Sequence, residues 1–132
     1  MKKLALNLSI IFLNFLTSLS CSFISENDDY IYYQWASVQK VEILSNQNGK
    51  LDLKIKLTIP TPCNEYHTKE VSTNGDTIFV RYFSKIKKET ICIQILGSME
   101  IYDSFNLQSG KIYLFKFFKD TNSTLDTLIK IN

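Results

Sequence analysis

The chain is short of the residues on which small catalytic and nucleic-acid-binding domains depend. It has one arginine, Arg81, one histidine, His67, and three cysteines with no Cys-x-x-Cys spacing. Glu65, His67, Lys69 and Glu70 are the only grouping of acid–base character around that histidine. They supply too few ligands for a zinc site, and no Ser or Cys nucleophile is tied to them by spacing. A glycine-rich phosphate loop and a nucleophile elbow are both missing. With 15 basic against 13 acidic residues, and a single Arg, the chain lacks the clustered positive charge that nucleic-acid affinity needs. The apolar stretch at residues 4–19, broken by Asn7, Ser9, Asn14 and Thr17, is shorter than the about twenty residues of a membrane-spanning helix. After residue 21 no segment carries a capped helical stripe, and there is no internal repeat. A hydrolase or metal enzyme around His67 is therefore a remote reading, and no cofactor, metal or nucleic acid is expected.

What the chain does have starts at its N-terminus. Lys2 and Lys3 precede the apolar stretch, and Ser18-Leu19-Ser20-Cys21 closes it. A basic start, a short apolar core and a small-residue cleavage site make up a signal peptide. The stretch resembles the lipobox of an exported bacterial lipoprotein. Ser20 fits the small residue before the cysteine, and Ser18 stands where such motifs usually carry leucine. The resemblance implies cleavage after residue 20 and acyl chains, palmitate among them, on Cys21. Ser18-x-Ser20 also suits an ordinary signal peptidase. Two or three acyl chains, at about 0.8 kcal/mol per buried methylene, anchor a protein stably. The expected division is a signal peptide at 1–20, a polar and acidic tether at 21–29, and one folded domain at 30–132. Removing Lys2 and Lys3 leaves 13 basic and 13 acidic residues. The expected address is the cell envelope, lipid-anchored at the outer membrane on its periplasmic or its outward face.

Cysteine parity fits that division. With Cys21 acylated, Cys63 and Cys92 remain as one pair, which an oxidising compartment would bridge. Closing a loop of about thirty residues contributes roughly 3.6 kcal/mol in the chain-entropy description. Two metal-binding cysteines are the rival reading, disfavoured by the lone His.

Residues 51–59 carry the clearest local pattern. Leu51, Leu53, Ile55, Leu57 and Ile59 alternate with polar residues, as in a strand with one buried face. Asn46-Gln47-Asn48-Gly49 before it is a turn, so residues 38–44 are its expected hairpin partner. Pro60 and Pro62 end the strand. Further strands are expected at 30–36, 77–83, 90–96, 111–118 and 124–131, with Glu65, His67 and Lys69 on one face of an edge strand. Asn74-Gly75 is a hairpin turn, 84–89 a polar turn, and Gly97 a strand end. Asp76, Asp103, Asp120 and Asp126 are expected to cap turns or strand ends. The fold class is all-β: an antiparallel sandwich of about seven strands.

Leu107-x-x-Gly110-x-x-Tyr113 has the spacing of a tyrosine corner, in which a tyrosine hydroxyl bends back to the backbone upstream. Through Cys63, Asn74-Gly75, Cys92, Leu107, Gly110 and Tyr113, the chain resembles the small Ig-like lipoproteins of Bacteroidetes. Ser109 stands where many such turns carry Pro. The resemblance implies an Ig-like sandwich on a lipid tether, a fold and an address only, since members of the group are mostly without an assigned activity.

Tyr30, Tyr32, Tyr33 and Trp35 remain. In an extended run, Tyr30 and Tyr32 share one face and Tyr33 and Trp35 the other. Either Tyr33 and Trp35 fill the core, or one set is exposed and holds a glycan or a protein. The expected function is a non-enzymatic envelope lipoprotein that binds or supports another envelope component. The alternative is a module that binds a glycan or a protease through the aromatic run or a loop.

Overall fold

Leu51, Leu53, Ile55, Leu57 and Ile59 are all buried, and they form one face of a strand that runs from Lys50 to the residue before Pro60. The structure is a computed structural model that describes residues 30–132, with side chains from Gln34 onward. Seven strands follow one another: β1 (Tyr30–Gln47), β2 (Lys50–Ile59), β3 (Glu65–Asn74), β4 (Thr77–Lys87), β5 (Gly97–Asn106), β6 (Ile112–Phe118) and β7 (Thr124–Lys130). Among the described residues there is no helix. The expected signal peptide, tether and Cys21 fall on residues 1–29 and lie outside the described residues.

β2 pairs antiparallel with β1 on one side and β5 on the other. The β1–β2 connection is the expected turn, with Asn48 at φ 53° and Gly49 at φ 77°. β1 is one long strand where two were expected. Its first part, through Ala36, pairs with β4, and from Ser37 onward it pairs with β2. It therefore passes from one layer to the other. Where β1 leaves, the flank of β4 from Thr77 to Val80 is open, and β6 fills it in parallel register. The expectation of purely antiparallel pairing is corrected at this point. A long strand that changes partners frees half an edge, and β6 reaches it running the same way as β4. β3 covers the other flank of β4, and β7 pairs with β6.

The core lies between these two groups of strands. β2 contributes its five alternating residues, β4 contributes Ile78, Val80 and Tyr82, and β6 contributes Phe115 and Phe117. Phe105 of β5 meets Phe115 edge-on at 5.3 Å between centroids, and Phe115 stacks on Phe117 at 5.5 Å. Burying each such side chain contributes about 1.5–3 kcal/mol.

Two expectations fail after Ser84. β4 continues to Lys87, so the expected 84–89 turn is confined to Lys88 and Glu89, and Ser84 is buried. Residues 90–96 form no strand, and Gly97 begins β5 rather than ending a strand. All ten residues of β2 are matched to Asn106 through Gly97, so the β2 edge is taken by β5 and 90–96 pairs with no strand. Gly97 is needed because a Cβ there would lie 2.9 Å from the backbone of Pro62.

Cys63 and Cys92 form the expected disulfide. It ties the 88–96 segment to the turn after β2, and Asn64 fixes that turn. Its side-chain carbonyl accepts from Thr61 N and Oγ1, at 3.1 and 2.8 Å, and its amide donates to Ser84 Oγ at 3.2 Å. At the opposite end the Gln108 N–H donates to the Tyr113 hydroxyl at 3.3 Å, and Gly110 sits at φ 84°, as the corner spacing requires.

Candidate functional site

The two outward faces differ in chemistry. Outside β1, β2 and β5 the surface is charged and internally paired, with Lys40 against Glu42 and Lys54 against Glu100 at 3.0 Å. Outside β4 an aromatic cluster gathers around Arg81.

That arrangement follows from register. Tyr82 and Val80 of β4 point into the core, so Phe79, Arg81 and Phe83 point out. Trp35 of β1 is the ladder partner of Phe83, and Glu70 of β3 is the partner of Arg81. Phe118, at the end of β6, comes up beside them. The Arg81 guanidinium lies 4.4 Å from the Trp35 ring centroid and 4.2 Å from that of Phe118. Phe79 is tilted against Phe118 at 6.5 Å. Arginine suits such a place because its planar, weakly hydrated cation stacks on ring faces and keeps its N–H donors at the edges. Each contact contributes about 0.5–1 kcal/mol at an exposed site. The Arg81 Nε is buried and makes no hydrogen bond among the described residues. A shallow concavity of about 320 Å3 opens here, lined by Glu70, Val71, Ser72, Phe79, Arg81 and Phe118.

Trp35 is 38% exposed, so the reading that places it in the core is corrected. Ala36 takes the inward position instead. The backbone of β1 pairs Tyr30, Tyr32 and Tyr33 with Lys87, Ile86 and Lys85. Their side chains lie outside the described residues. Sequence reading missed Arg81, Phe79 and Phe118, because the stack is assembled from three strands distant along the chain.

The grouping around His67 is not brought together. A bulge between Tyr66 and Thr68 breaks the alternation of β3. Glu65 is matched to the outward Lys85, and Lys69 to the inward Tyr82, so the two point to opposite faces. Among the described residues no three His, Cys, Asp or Glu side chains gather as a metal would need.

Lys69 instead pairs with Asp103 of β5, with its ammonium 4.3 Å from the Phe105 ring. The Tyr82 hydroxyl donates to the second Asp103 oxygen at 2.7 Å. Burial, and then the Asp103 charge, holds the Tyr82 hydroxyl far above its ordinary range, and the same two causes raise Tyr66 more mildly. Asp103 thus bridges the layers from mid-strand, where a cap at a strand end was expected. Asp120 does cap its turn, accepting from Asn122 N and Ser123 N at 2.7 and 2.8 Å.

The 88–96 segment is the other unusual surface. Ile91 is fully exposed, Ile93, Ile95 and Leu96 are each more than half exposed, and the disulfide at Cys92 holds the segment at its middle. Leaving such side chains in water forgoes about 1.5–3 kcal/mol apiece. Scattered exposed apolar residues are ordinary, but four within six positions form a patch. No family model matches the chain, and no curated protein or solved structure matches it.

Proposed function

We propose that the chain is a non-enzymatic lipoprotein of the bacterial envelope. In this reading an Ig-like domain is held at the membrane by an acylated Cys21 and binds a protein component of the envelope through the face around Arg81. The observation that carries the binding role is the guanidinium clamped between Trp35 and Phe118 beside an open concavity. Aromatic residues and arginine are the types that dominate interface energetics. A guanidinium already immobilised by two rings loses little further entropy when it meets a carboxylate or a carbonyl. The tethered address is supported by the sequence of residues 1–21 and by the Cys63–Cys92 disulfide, a bond of oxidising compartments.

Photocrosslinking in native membranes tests the reading. A benzophenone amino acid at Ser72, on the Arg81 face, is expected to give a discrete protein adduct, and the same group at Lys56, on the charged face, none. R81Q is expected to abolish the Ser72 adduct while the domain stays folded. Equal labelling from both faces, or an adduct indifferent to R81Q, would contradict it.

A glycan ligand is the second reading, favoured by the partly exposed indole of Trp35. Retention on a glycan array that W35A removes would establish it in place of the protein partner.

A further inference from the structure

We infer that the 88–96 loop is a lipid-contacting tip, in which Ile91, Ile93, Ile95 and Leu96 enter the surface of the membrane that holds the chain. The inference rests on the tethered reading for the presence of that membrane, and it adds an orientation and a second membrane contact.

Three observations point the same way. The first is the apolar patch itself. Ile91 is 101% exposed and Leu96 75%, in a segment that a disulfide fixes in place rather than one free to fold back. The second is where the N-terminal segment joins. Tyr30, the first described residue, is the ladder partner of Lys87, and the loop begins one residue later. Residues 1–29 therefore join the domain about one strand spacing, some 4.8 Å, from the foot of the loop. From Cys21 to Tyr30 there are nine residue steps, which span at most about 30 Å fully extended. A leash that short keeps this end of the domain nearest the acyl chains, at an effective concentration high enough for weak insertion to count. The opposite end, with the Asn48-Gly49 turn and Asn132, is a β2 length away. The third is charge. Lys87 and Lys88 are exposed at the foot of the loop, with Glu89 beside them. Cations at the rim of an apolar tip favour an anionic lipid surface.

The test uses the full chain as processed, purified from bacterial membranes. Trp35 is the only tryptophan, so W35F I93W places the sole indole in the loop, and W35F Q108W places it at the opposite end. Each is reconstituted in vesicles of phosphatidylethanolamine and phosphatidylglycerol with brominated acyl chains. An indole at the headgroup–acyl boundary should lose about half or more of its emission, and one outside it under about a tenth. The first result is expected for I93W and the second for Q108W. Flotation and the mass of the Cys21 peptide, read on the same samples, separate the two readings. Acylated protein that floats without quenching of I93W overturns the tip and leaves the tether standing. Quenching of I93W without acyl mass upholds the tip and removes the tether. Absence of both acyl mass and I93W quenching overturns both readings. A dimer in sedimentation that I91S I93S L96S dissolves would show that a second copy covers the loop, and would overturn the inference.

Discussion

Gly49 sits at φ 77°, its carbonyl accepts from Leu107 N at 2.8 Å, and its own N–H donates to the Asn132 carbonyl at 2.8 Å. A Cβ there would stand 2.6 Å from the Leu107 carbonyl oxygen. G49A therefore meets a backbone atom and a left-handed conformation at once. It is expected to lower stability by about 1–3 kcal/mol in urea unfolding, whereas G75A, with open space around it, should show only the conformational part. At Tyr82 the prediction concerns pH. The hydroxyl is raised above its ordinary 10.0 by burial and by the Asp103 charge. Below pH 10 the hydroxyl is protonated in both the folded and the unfolded chain, so its contribution is whole. As pH rises past 10 the unfolded chain ionises first, and stability is lost. Y82F should cost about 1.5–3 kcal/mol at pH 8, the range for a hydrogen bond to a charged group, and flatten the fall between pH 9 and 11. Urea midpoints across that range check this, and an unchanged slope would count against it.

At the scale of elements, the Cys63–Cys92 loop spans 29 residues. C63S C92S is expected to lower unfolding free energy by about 3–4 kcal/mol on the chain-entropy estimate. A loss below 1 kcal/mol would mean that Asn64 and Gly97 hold this end without the disulfide. What was legible in the sequence follows the same physics. β2 could be read to within a residue because one face is wholly buried and the other wet, so its pattern has a period of two. β5 was missed because Asp103 occupies a core-facing position that the pattern reserves for an apolar side chain. Residues 90–96 looked like a strand because Ile91, Ile93 and Ile95 alternate, yet a strand also needs a partner ladder, the β2 edge is taken by β5, and alternation alone does not show whether a partner exists. The turns at Asn48-Gly49, Asn74-Gly75 and Gly110 were legible because positive φ restricts which residues can sit there.

For the whole molecule, the one long strand β1 decides how the surfaces are arranged. By leaving β4 at Ala36 it places Trp35 outside, opens the flank that β6 fills, and so brings Phe118 to the far side of Arg81. None of this could be read from local pattern, because the stack joins residues 35, 81 and 118 through two separate ladders. R81Q and W35A should each change stability by only about 1 kcal/mol, since their atoms lie outside the core, while removing the crosslinked partner. A variant that unfolds would show that the stack is structural. The central claim, a disulfide-braced β domain held by acyl chains, is tested most directly by mass. The measurement is the intact mass of the protein from its native membrane before and after reduction, with peptide mapping. Acyl mass on an N-terminal Cys21 and a linked Cys63–Cys92 peptide are the expected result. An unmodified Cys21, or a chain still carrying residues 1–20, would contradict it.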